Sequence, residues 1–150
     1  MDIEITSEPA RHLAARRFDL DLDHVGEQMG EAFGAVARFL DRENILPTGP
    51  AMAYYEVGEE GMRVSAGFLV DPPIREGDGV VDREVPEREV VRGVHVGSYD
   101  TLPKTYDALR ATAEARGRKL DETAMWEEYL TGPDHPPEEM RTRVSWPLAD

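Results

Sequence analysis

Two stretches of the chain repeat apolar residues at helical spacing, and the segments around them alternate apolar and polar residues as strands do. Val25, Met29, Ala32, Phe33, Val36, Phe39 and Leu40 recur with a 3.6-residue period. They predict a helix over 24–41 with one buried face and Asp23 as its N-cap. Leu102, Tyr106, Leu109 and Ala113 form the stripe of a second helix. Pro103 sits in its first turn, where a missing amide hydrogen costs little, and Gly117 is its C-terminal cap. Strands are predicted at 10–20, 51–57, 62–70, 90–96, around Glu127, and at 141–148. Pro47-Thr48-Gly49-Pro50 stops the first helix from continuing, and Gly58-Glu59-Glu60-Gly61 closes a hairpin.

The order is strand, helix, strand, strand, twice over. A shift of 73 residues lays Ala51-Met52-Ala53-Tyr54-Tyr55 over Ala124-Met125-Trp126-Glu127-Glu128, and pairs Met29 with Leu102, Phe33 with Tyr106, Val36 with Leu109 and Leu40 with Ala113. The chain therefore reads as an α+β domain of two repeat units, about 10–70 and 89–148, joined by a polar link over about 71–88.

Strand alternation places Glu127 on one face with Met125 and Tyr129, while Trp126, Glu128 and Leu130 face the other way. A carboxylate among apolar neighbours costs several kcal/mol to bury unpaired. Glu127 is thus expected to meet a cation, a hydrogen-bond donor or a reaction.

Composition narrows the chemistry. The 150 residues suffice for one domain that buries about two-thirds of its unfolded surface. Cysteine is absent, which excludes disulfides, thiol catalysis and thiolate metal sites. His12, His24, His95 and His135 show no paired ligand spacing, and no phosphate-cradling glycine loop or nucleophile elbow is present, so neither metal nor cofactor is expected. No apolar run reaches membrane-spanning length, and the expected location is the cytoplasm. With 31 acidic residues against 17 basic ones, the net charge of −14 repels nucleic acid and attracts organic cations.

Several motifs occur in order: Gly49-Pro50 before Tyr54-Tyr55; His95-Val96-Gly97-Ser98-Tyr99 leading into the second helix; Glu127-Glu128-Tyr129-Leu130-Thr131-Gly132-Pro133; and Thr142-Arg143-Val144-Ser145-Trp146-Pro147-Leu148. Together they resemble the GyrI-like small-molecule-binding family, which includes the effector-binding domains of multidrug-sensing and AraC-type regulators. The third motif matches that family's Glu-x-Tyr-Leu-x-x-Pro. The resemblance implies units related by a pseudo-twofold axis with a ligand cleft between them, and makes Glu127 the acid that meets cationic aromatic drugs. Where relatives carry an acid after the closing-strand Thr, this chain has Arg143.

On such an axis Tyr54, the repeat counterpart of Glu127, is expected to face it. Met52, Phe68, Tyr129 and Trp146 are the candidate walls, and Tyr99 the candidate residue at the mouth. Trp126 points away. His95, ending an apolar strand, reads as structural before catalytic. No helix-turn-helix precedes or follows the domain, so a complete transcription regulator is not expected. Three functions follow from the resemblance. The first is a stand-alone binder of flat, apolar, cationic drugs or toxins. The second is a hydrolase of cyclopropane-bearing alkylating toxins, with Glu127 as base and Tyr54, then Tyr99, as proton donor. The third is a gyrase-inhibitor-like role with a protein partner.

Overall fold

The computed structural model describes residues 1–132 and 134–150, so Pro133, which closes the Glu-x-Tyr-Leu-x-x-Pro motif, lies outside them. In order, the chain forms β1 (Ile3–Glu8), β2 (Arg11–Asp19), α1 (Val25–Arg42), β3 (Ala51–Gly58), β4 (Gly61–Val70), β5 (Val81–Val85), β6 (Arg88–Val96), α2 (Leu102–Ala115), β7 (Ala124–Tyr129) and β8 (Arg141–Pro147). Single 3-10 turns occupy Tyr99–Thr101 and Pro137–Glu139. These elements divide into two compact units, Ala10–Pro86 and Met1–Pro9 with Glu87–Asp150, called here the first and the second.

In the first unit, antiparallel strands pair in the order β3-β4-β2-β5. The periodic stripe of α1, namely Ala32, Val36, Phe39 and Leu40, is buried as the sequence predicts. It packs on Ala14 and Val70, with Ile74 and Val80 closing the cluster. Each such large apolar side chain contributes about 1.5–3 kcal/mol when fully buried. The helix starts one residue later than expected, with His24 at the N-cap position. Asp21 shapes that entry instead of Asp23: its Oδ1 accepts the Asp23 backbone N–H at 3.0 Å, and its Oδ2 lies 2.8 Å from His24 Nδ1. Strands β2 and β4 approach so closely that a Cβ on Gly67 would sit 1.8 Å from the Ala14 carbonyl oxygen, which leaves room only for glycine.

The stretch expected to be only a link contains β5, which pairs with β2 from Arg11↔Val85 to Ala15↔Val81. Three consecutive charged residues, Asp82-Arg83-Glu84, between Val81 and Val85 disguise it, and charge of this kind is common in edge strands.

The second unit pairs its antiparallel strands in the order β1-β6-β8-β7. Its first strand, β1, comes from the extreme N-terminus and was not expected. The α2 stripe packs Leu109 and Ala113 on Val91, Val144, Trp146 and Leu148, with Leu102, Tyr106 and Met125 at the margin. Gly117 follows the helix with φ of +69°, the left-handed conformation foreseen for its C-terminal cap.

Strand-helix-strand-strand recurs as β2-α1-β3-β4 and β6-α2-β7-β8. The 73-residue frame holds for the helices, where Ala32, Val36 and Leu40 match Thr105, Leu109 and Ala113 as buried positions. It fails for the strands. Ala51 pairs with Phe68, which packs against the α1 cluster, so Ala51, Ala53 and Tyr55 face α1 while Met52 and Tyr54 face away. In the second unit Met125 and Glu127 lie on the face toward α2. Tyr54 is therefore not the equivalent of Glu127, because a strand shifted by one residue presents its opposite face. No helix among the described residues is long and apolar enough to cross a membrane.

Candidate functional site

Glu127 sits on β7 beneath α2, only 6% exposed. Alternation on β7 aims it and Tyr129 to the same side, and the helical stripe of α2 brings Tyr106 over them. The Tyr106 hydroxyl donates to Glu127 Oε2 at 2.5 Å, and the Tyr129 hydroxyl donates to Oε1 at 2.8 Å. Both oxygens of the carboxylate thus accept a phenol hydrogen, and charge-assisted bonds of this type are about twice as strong as neutral ones.

Tyr99, half exposed in the turn that leads into α2, packs edge-on against the Tyr129 ring with centroids 6.0 Å apart. Burial, and then the negative charge of Glu127, push its phenol above the ordinary 10.0. At neutral pH Tyr99 is accordingly protonated and able to donate a hydrogen bond. Trp146 stacks edge-on behind Tyr106 with centroids 5.5 Å apart. The Arg110 guanidinium lies 5.0 Å over the Trp146 ring, and the indole N–H donates to the Asp121 carbonyl at 3.0 Å. Two tyrosines therefore hold one buried carboxylate, backed by a third tyrosine and a tryptophan, an arrangement that combines negative charge with aromatic faces and edges.

Of the residues singled out from the sequence, the second unit brings together Glu127, Tyr129, Tyr99 and, through Tyr106, Trp146. Met52, Tyr54 and Phe68 belong to the first unit. Phe68 faces the α1 core and meets Phe33 edge-on at 6.1 Å. Met52 and Tyr54 are buried on the other face, where the Arg83 guanidinium lies 4.7 Å over the Tyr54 ring.

His95 has a structural engagement. Its Nδ1 is 2.7 Å from Thr105 Oγ1, and its Nε2 lies 3.0 Å from the Ser98 carbonyl and 2.9 Å from Thr101 Oγ1. It ties the end of β6 to the entry of α2. Among the described residues no three His, Asp or Glu side chains gather as a metal site. A polar hollow of about 620 Å³ at the β3–β4 hairpin is lined by residues such as Arg17, Glu56 and Arg63, and its lining includes none of the residues around Glu127.

Two features escaped sequence reasoning. Tyr106 was legible only as a core residue of the helical stripe, although a buried phenol needs a partner for its hydroxyl. The second is Glu8, 1% exposed on the face away from α2. It accepts hydrogen bonds from Trp126 Nε1, Ser145 Oγ and Arg92, all at 2.9 Å. Trp126 does point away from Glu127, as alternation predicts. Arg143 shares that far face, 3.7 Å from Glu128 Oε2.

Comparison with solved structures agrees with this architecture. The EcmrR C-terminal domain superposes with a TM-score of 0.79 at 19% identity, over 99% of this chain and 98% of that one. SAV2435 bound to tetraphenylphosphonium gives 0.71 at 8% identity, over 99% and 94%. A hydrolase from Listeria innocua gives 0.73 at 16% identity, over 98% and 91%. At these identities the likeness concerns the fold alone. No protein of curated function matches the sequence. The model of the GyrI-like small molecule binding domain matches residues 1–149, and the chain belongs to that family.

Proposed function

We propose that the protein binds small, flat, apolar cations, with Glu127 as their polar anchor. The observation that carries this reading is a carboxylate 6% exposed, held by two phenol hydroxyls and ringed by aromatic side chains. An organic cation supplies the positive charge such a group attracts and the apolar surface the rings can cover. The net charge of −14 draws cations toward the molecule. The shared fold of SAV2435, whose structure holds tetraphenylphosphonium, supports the same ligand class.

Calorimetric titration with tetraphenylphosphonium is expected to give saturable binding that weakens at least about tenfold in Glu127→Gln, roughly 1.4 kcal/mol. Equal affinities in the two proteins would remove Glu127 as anchor.

Tyrosine hydroxyls in direct contact with Glu127 also favour a second reading, hydrolysis of a strained electrophile. Glu127 would take a proton from water, and a phenol would protonate the opening ring. The donors in place are Tyr106 and Tyr129 rather than Tyr54. Binding remains the preferred reading on chemical grounds. Each carboxylate oxygen keeps a lone pair beside its phenol bond, open to a water or a cation alike, and the neighbouring aromatic rings favour the cation. Incubation with a cyclopropane-bearing alkylator, followed by mass spectrometry, distinguishes the two: ring opening no faster than in buffer eliminates hydrolysis of that substrate.

A further inference from the structure

We infer that Thr142 is a second polar contact of the Glu127 site, and that the bound molecule carries a neutral hydrogen-bonding group near its charge. The inference rests on the binding proposed above. Thr142 lies on β8 directly opposite His95 of β6 on one side and Tyr129 of β7 on the other. Directly paired residues project to the same face of a sheet, so the Thr142 side chain lies among His95, Tyr129 and the residues that meet α2.

Its neighbours are already committed. Both ring nitrogens of His95 have partners in Thr105, Thr101 and Ser98, and the Tyr129 hydroxyl is spent on Glu127. The Thr142 hydroxyl is 1% exposed and has no hydrogen-bond partner among the described residues. A buried hydroxyl left unmade is a net cost that an isosteric valine would avoid. Val144, next along the same face of β8, is fully buried without any such cost. Thr142 is thus supplied with a bonding capacity that its protein neighbours do not use.

A threonine hydroxyl donates one hydrogen bond and accepts two. Its natural partner is a carbonyl, hydroxyl, ether or N–H rather than a formal charge. Glu127 pairs with Val144, one step further along the same face. Diagonal neighbours of this kind stand roughly 7–8 Å apart. The ligand class is therefore an aromatic cation with an oxygen or N–H about one ring-width from its charged centre.

The test uses two probes: tetraphenylphosphonium, which has no hydrogen-bonding group, and rhodamine 6G, which carries N–H groups and an ester. Thr142→Val is expected to weaken rhodamine 6G by roughly fivefold, the worth of one neutral hydrogen bond, and to leave tetraphenylphosphonium within about twofold. Thr142→Ser, which keeps the hydroxyl, is expected to restore rhodamine 6G binding, and Thr142→Val to melt no lower than the unaltered protein. Equal changes for both probes, or no change for either, would overturn the role of Thr142 while leaving that of Glu127 standing. Glu127→Gln that fails to weaken tetraphenylphosphonium would overturn the anchor instead. Absence of saturable binding of either probe to the unaltered protein would overturn both.

Discussion

The two units follow one plan of strand, helix, strand, strand, yet among the described residues only the second buries polar side chains beneath its helix. Beneath α1 the first unit holds a dry cluster of Ala14, Val36, Phe39, Leu40 and Val70. On the other face Arg83 covers Tyr54 and ion-pairs with Glu56, which also lies 3.9 Å from Arg17, while the part-buried His12–Asp82 pair stands on the α1 side. Beneath α2 the second unit mixes Glu127, His95, Thr105 and Thr142 with Leu109, Ala113 and Val144, all of them buried. Among the described residues of the first unit, no fully buried polar side chain stands under the helix. Of the polar groups under α2, His95 and Thr105 bind each other and tie β6 to the helix, whereas Glu127 and Thr142 are the ones the proposed binding would use.

The largest expected effect comes from the network that holds the second unit together on its far face. Glu8→Ala would leave the Trp126 N–H and the Ser145 hydroxyl without their acceptor and remove one of the two acids that pair with Arg92. Breaking a buried charge pair of this type costs about 3–5 kcal/mol. Urea unfolding is expected to show a loss of that size, while tetraphenylphosphonium still binds the variant that remains folded, since Glu8 and Glu127 lie on opposite faces. A loss below about 1 kcal/mol would mean that β1 is held by its backbone pairing alone.

A reciprocal exchange tests the contrast itself at smaller amplitude. Thr105 and Ala32 occupy the same turn of their helices, separated by the 73-residue frame. Thr105→Ala takes from His95 Nδ1 its contact at 2.7 Å. Ala32→Thr introduces a hydroxyl on a face packed with aliphatic groups. Each is expected to destabilise by about 1–3 kcal/mol, for opposite reasons. A neutral Ala32→Thr would show that the first unit tolerates polar groups under its helix and would dissolve the contrast.

The sequence carried the helices and the parity of Glu127, because both depend on local periods of about 3.6 and 2 residues. It did not carry β1. Ile3-Glu4-Ile5-Thr6 offers only two apolar residues to alternate, and its pairing with β6 is fixed by contacts far along the chain. The match of Tyr54 to Glu127 failed for a geometric reason. The spacing from helix to strand is the same in both units, since α1 ends at Arg42 with β3 starting at Ala51, and α2 ends at Ala115 with β7 starting at Ala124. The strands nevertheless enter with opposite faces toward their helices, which spacing cannot reveal. Tyr106 was visible as a core residue, but the direction of its hydroxyl depends on where β7 lies beneath α2.

Those helix-to-strand connections give the smallest prediction and confine it to one unit. In the first unit the connection is held by backbone bonds, from Ile45 N–H to the Leu40 carbonyl and from Thr48 N–H to the Leu69 carbonyl. The second has the equivalent bonds, from Arg118 N–H to the Ala113 carbonyl and from Asp121 N–H to the Pro147 carbonyl, and adds a charge. Asp121 Oδ1 accepts from the Thr123 hydroxyl and backbone N–H, and Oδ2 accepts from Arg88 at 3.0 Å. The Thr123 hydroxyl foremost holds the Asp121 carboxyl below its ordinary 3.8; burial, next in size, opposes it, and the Thr123 backbone N–H and Arg88 add to the lowering. A depressed carboxylate stabilises the folded chain at every pH above the unfolded value and loses that contribution as pH falls through the folded one. Asp121→Asn is therefore expected to lower the melting temperature at pH 7 by a few degrees, on the order of a partly exposed ion pair. The gap between variant and parent should close as pH falls below the ordinary 3.8 and through the lowered folded value, where the parent carboxylate is itself protonated. Substituting Thr48 by Ala in the first unit leaves its backbone bond in place, so its effect on melting should not change with pH. A gap for Asp121→Asn that stayed constant from pH 7 to 2 would show that Asp121 acts through shape rather than charge, and the two connections would then differ in sequence alone.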